Sequence, residues 1–123
     1  MEEAILNTAK LDGRTVAISL PKDPGSAGGF VASYLAGQLA GYNVIVSAET
    51  GSKAARATPF AAQIEAGNVA IVRANWNHAF LEELRDFPHG TKDDQVDALS
   101  RAFSALIDQA APTRRMTVPF LAR

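Results

Sequence analysis

The chain has 123 residues, 47% hydrophobic and 20% charged, with 12 Lys plus Arg against 13 Asp plus Glu and no cysteine. This balance describes one soluble globular domain with a real core, and it excludes disulfides, thiolate metal sites and the global basic excess of a sequence-independent nucleic-acid binder. No apolar run is long enough to span a membrane, and the acidic start Met1-Glu2-Glu3-Ala4 leads into no hydrophobic signal region, so a cytoplasmic protein is expected.

In chain order, residues 2–10 read as a short helix, Asp12-Gly13 as a turn, and 15–20 as a strand of β-branched and aliphatic residues that Pro21 ends. Residues 22–29 form a loop marked by proline and glycines, after which Phe30, Tyr34, Leu35 and Leu39 step along a helix closed by Gly41. A second strand is expected over 43–47, an alanine-rich helix over 52–66 that Pro59 starts or kinks and Gly67 stops, and a third strand over 68–73. Residues 76–87 read as a further helix, with Asn75 or Asn77 as its cap, and 87–90 as a loop. From Val96 onward Leu99, Phe103, Leu106, Ile107 and Ala110 recur at helical spacing. Ala111-Pro112 is expected to end that helix, which leaves 1–111 as the domain and 112–123 as a C-terminal tail, docked through Val118, Phe120 and Leu121 or mobile. Strands alternating with helices at this spacing predict the α/β class, a mostly parallel sheet flanked by helices.

The chemistry concentrates in Lys92-Asp93-Asp94-Gln95-Val96-Asp97-Ala98-Leu99, which sets three carboxylates at the start of the last helix. Asp94 and Asp97 fall one turn apart, where two carboxylates repel unless a cation lies between them. A hard divalent ion suits that place. Asp is also favoured in any first helical turn, by about 0.3–1 kcal/mol, so a solvated helix start is the plain alternative. Asp23 is either a turn residue before Pro24-Gly25 or a further carboxylate reaching from the end of the first strand, where α/β sheets collect functional groups. With Asp94 and Asp97 it would hold one or two Mg²⁺ or Mn²⁺ ions, polarising a phosphodiester and activating a water. Gly25, Gly28 and Gly29 match no dinucleotide or P-loop pattern. His78 and His89 are too few for an imidazole site, and Trp76 reads as a core or boundary residue.

The succession Asp23-Pro24-Gly25-Ser26-Ala27-Gly28, Glu49-Thr50-Gly51-Ser52-Lys53 with Arg56-Ala57, Ala66-Gly67-Asn68-Val69, Trp76-Asn77, Phe87-Pro88-His89-Gly90 and Asp93-Asp94-Gln95-Val96-Asp97-Ala98 resembles the carboxyl-terminal nuclease domain of phage terminase large subunits. The resemblance covers nearly the whole chain. It implies a partial ribonuclease-H-like fold and metal-dependent cutting of double-stranded DNA during genome packaging in a bacterial host, with Asp23, Asp94 and Asp97 binding the metals and Asp93 assisting. Lys53 and Arg56 fall where phosphate contacts would be expected. Members of the family carry an earlier strand with another essential Asp and, before it, a packaging ATPase, and neither is found in this sequence. A nuclease fragment that is inactive alone, or one completed by a missing N-terminal terminase half, is therefore an expected form. A non-catalytic α/β module that pairs edge to edge as a homodimer is the rival reading.

Overall fold

The computed structural model describes the backbone of residues 2–22 and 26–121, which divides into two compact units, Met1–Thr50 and Gly51–Arg123. Among the described residues no helix is long and apolar enough to cross a membrane.

The first unit runs α1 (Glu2–Asp12), β1 (Ile18–Lys22), α2 (Ser26–Gln38) and β2 (Val44–Ala48). The strands pair in parallel, Ile18 opposite Val44 through Lys22 opposite Ala48, and α2 is the crossover that a parallel pair requires. Ile5, Leu6 and Ala9 lie on one face of α1, as their helical steps dictate, and pack with Ile18 and Leu20 of β1 and with Leu35 and Leu39. Leu39 is the most deeply buried of them, at 1% exposure. The turn into β2 needs Gly41: its φ is +91°, and a Cβ there would stand 2.7 Å from Nη1 of Arg14. The Arg14 guanidinium lies over the Tyr42 ring, 5.5 Å from its centroid.

Two expectations in this unit need correction. Pro21 lies inside β1 rather than ending it; each strand of a two-stranded sheet has an outer edge, where the missing proline N–H is tolerated. Residues 26–29 are the first turn of α2 rather than loop, so Gly28 and Gly29 belong to a helix. Asp23 lies outside the described residues.

Tyr34 donates its phenolic hydrogen to Oε1 of Glu2 at 3.2 Å, and this bond, with the Glu2 charge and desolvation, raises the phenol above its ordinary value. A raised folded value gives a stabilisation that is fully present below the unfolded value and is lost as pH rises through the folded one. The difference in alkaline ultraviolet titration between wild type and Tyr34→Phe is expected to show one tyrosine ionising late. A phenol titrating at the ordinary value would contradict the hydrogen bond.

The second unit holds α3 (Lys53–Glu65), α4 (Asn77–Asp86) and α5 (Asp94–Leu121). Ser52 caps α3 by accepting from the Ala55 N–H at 3.0 Å. The helix ends at a left-handed Gly67, φ +79°, whose N–H donates to the Ile64 carbonyl while that of Asn68 donates to Gln63, the paired bonds of a Schellman stop. Pro59 sits in mid-helix and does not start it.

Residues 68–73 are not a strand. Their apolar pattern is right, but a strand exists only as half of a ladder, and among the described residues only β1 and β2 pair. Val69, Ile71 and Val72 are left 41%, 43% and 79% exposed. Asn77 does not cap α4 either: its side chain accepts from the Ala74 N–H and donates to the Val72 carbonyl, bracing the preceding loop, while Trp76 occupies the cap position without a side-chain bond. Helix α5 continues through Pro112 to Leu121, so that proline does not end it.

Candidate functional site

Capping by Ser52 fixes the first turn of α3 and sets Lys53 and Arg56 one turn apart on one face. Beyond them the buried Ala57 and the half-buried Phe60 turn inward, and Phe60 meets Phe103 of α5 edge to face at 5.5 Å. This packing brings the basic turn of α3 against the start of α5. There the Asp93 carbonyl accepts from the Asp97 N–H at 2.9 Å, the first rung of the helix, so the two side chains lie one turn apart on the same face.

Lys53 bridges them. Its Nζ lies 2.6 Å from Oδ2 of Asp93 and 3.5 Å from Oδ2 of Asp97, while Nη2 of Arg56 lies 3.8 Å from Oδ1 of Asp97. Arg56 also donates through Nη1 to the Gly51 carbonyl at 2.8 Å, which orients its guanidinium. The hydrogen bond to Asp93 holds the Lys53 ammonium above the ordinary lysine range; desolvation opposes this, and the charges of Asp93 and Asp97 reinforce it. Both carboxylates keep about a quarter of their surface in water, 28% and 25%, and Lys53 keeps 51%.

Asp93, Asp97, Lys53 and Arg56 are thus brought together, and Asp94 stands exposed at the same helix start. The pair that shares a cation is Asp93 with Asp97, whereas spacing alone picks Asp94 with Asp97. Among the described residues no three acidic or histidine side chains form a group that would hold a metal ion. The two carboxylates are hard oxygen donors, but two cations, Lys53 and Arg56, already match them, and they are fewer than the six or so oxygens a hard divalent ion takes, so the described residues alone do not make up its site. His78 and His89 are exposed, and Trp76 packs edge to face on Phe80 at 5.8 Å.

Sequence reasoning passes over Glu83. It is buried, 8% exposed, and its carboxylate accepts from the Val96 N–H at 2.7 Å and from Nε2 of Gln95 at 3.1 Å. Helix α4 thereby supplies a carboxylate to an N-terminal backbone amide of α5, one of the groups a helix cannot satisfy by itself. The signal that could find it is position: Phe80, Glu83, Leu84 and Phe87 follow one another at helical steps, which puts a carboxylate on the inward face of α4.

A parallel strand pair joined by a helix, with a further helical unit whose last helix opens on an acidic turn, makes a mixed α/β domain. The chain belongs to the terminase RNaseH-like domain family, whose sequence profile matches residues 1–106. No curated protein and no solved structure matches it.

Proposed function

We propose that this terminase RNaseH-like domain is a metal-dependent DNA endonuclease domain of the genome-packaging machinery, acting in the cytoplasm of a bacterial host. The observation that carries the reading is the Lys53 ammonium held jointly by Asp93 and Asp97. Two carboxylates arranged around one positive charge are the donor chemistry that Mg²⁺ or Mn²⁺ uses. Asp94 and Asp97, with Asp93 assisting, would supply carboxylates to the ion. When bound, the ion supplies Lewis acidity toward a phosphodiester and lowers the pKa of the attacking water. Lys53 and Arg56, on the adjoining turn of α3, would contact the phosphates of double-stranded DNA. The test is plasmid nicking with Mn²⁺: nicking lost in both Asp94→Asn and Asp97→Asn supports the assignment, and nicking unchanged in both rejects it. Mn²⁺ binding without nicking would make this chain the metal-binding part of a nuclease completed by another terminase segment.

A second reading draws on a different observation. Val69, Ile71 and Val72 are exposed on a segment without ladder partners among the described residues. Such groups favour association with a further strand, either from a second copy of the chain or from an N-terminal terminase half. Light scattering is expected to give a mass that rises with concentration. A monomer at every concentration would remove the homodimer.

A further inference from the structure

We propose that the acidic turn opening α5 masks a phosphate-binding turn on α3: Asp93 and Asp97 occupy Lys53 and Arg56 in the unbound chain, and the backbone of double-stranded DNA takes their place. This rests on the reading of Lys53 and Arg56 as DNA contacts and adds that the contacts stay closed until a duplex arrives. Lys53 and Arg56 stand one turn apart at the amino end of α3, where the helix adds partial positive charge of its own. The anions seated there belong to the same chain. Oδ2 atoms of Asp93 and Asp97 lie 2.6 and 3.5 Å from Nζ of Lys53, and Oδ1 of Asp97 lies 3.8 Å from Nη2 of Arg56. Two charges of each sign leave the surface neutral, so in a chain with 12 basic and 13 acidic residues it attracts DNA only weakly while closed.

The contact is one that exchanges readily. All four side chains keep about a quarter to a half of their surface in water, where ion pairs are weak, and the separations of 3.5 and 3.8 Å are loose charge contacts. The helices do not depend on it, because the buried Ala57 and the edge-to-face pair of Phe60 and Phe103 at 5.5 Å hold α3 against α5. Arg56 is oriented separately, by the Gly51 carbonyl at 2.8 Å, and Lys53 swings on a four-carbon stem.

The test is binding of a short mixed-sequence DNA duplex by the full chain in EDTA. Asp93→Asn with Asp97→Asn keeps the shape of both side chains and removes two negative charges. Glu65→Gln with Asp108→Asn removes two from exposed positions elsewhere on α3 and α5 and serves as the charge-matched control. The unmasked variant is expected to bind about fivefold more tightly than this control. Adding Lys53→Gln is expected to weaken binding more in the unmasked variant than in the control, since only there is the ammonium available without displacing a carboxylate. Both results together support masking. Equal affinities of the two double variants, or an equal loss on adding Lys53→Gln to each, overturn masking and leave the DNA reading standing. No binding by wild type or by any variant overturns both.

Discussion

Asp97→Asn is expected to lower Mn²⁺-supported plasmid nicking by about 100-fold or more while moving the urea midpoint little. A metal ligand contributes several kcal/mol to transition-state stabilisation through the ion it holds, and even residues that only orient ligands cost roughly 10–100-fold when removed. The ion pairs that Asp97 makes with Lys53 and Arg56 are of another size. All three side chains are a quarter to a half exposed, and pairs of that kind contribute about 0–1 kcal/mol to stability. An activity lost with stability kept assigns Asp97 to chemistry. Stability lost in proportion to activity would make the acidic turn a latch between α3 and α5 and no more. Asp94→Asn sharpens the distinction, because Asp94 is exposed and its loss should cost almost nothing in folding.

Glu83→Ala is expected to destabilise the second unit by about 2–4 kcal/mol. Two costs combine. Val96 is 2% exposed, so its N–H loses its partner where water cannot easily replace it, which costs roughly 1–3 kcal/mol. The vacated volume adds a cavity cost of about 1 kcal/mol or more. Glu83→Gln keeps the shape and one acceptor oxygen, so a loss of about 1 kcal/mol is expected. Urea unfolding followed through Trp76, the one tryptophan of the chain, reports on this unit. A Glu83→Ala protein as stable as wild type would show that the start of α5 does not depend on the α4 carboxylate. The effect would reach function as well, since the turn that Glu83 steadies is the turn carrying Asp94 and Asp97.

Local rules serve where local forces decide. A helix opening near Ser52, Gly67 as its stop and the parallel strand pair around 18–20 and 44–47 follow from nearest-neighbour chemistry and apolar spacing, and the structure has them. Rules about single residues fail where the surroundings override them. Proline marks a strand end at Pro21 only if its absent N–H would leave a neighbour unpaired, and at the edge of a two-stranded sheet it need meet no partner. The same residue type suggests a helix end at Pro112. Helix α5 begins at Asp94, however, and continues through Pro112 to Leu121, so that proline does not end it.

Partners distant in sequence account for the remaining differences. Residues 68–73 carry a strand's composition, but composition does not supply a neighbouring strand. Counting along a helix ranks Asp93 behind Asp94 because it ignores what α3 brings; Lys53, 40 positions before Asp93, selects Asp93 and Asp97. Glu83 escapes notice for the same reason, its partners being the Val96 N–H and the Gln95 side-chain amide at the start of the next helix.

The measurement closest to the central claim is Mn²⁺ binding by the intact chain, followed by the free-ion electron paramagnetic resonance signal without DNA. Wild type is expected to deplete that signal saturably, and the double variant Asp94→Asn with Asp97→Asn to leave it at the level of buffer. Equal depletion by both proteins, or none by wild type, would contradict the assignment of the α5 carboxylates to a metal.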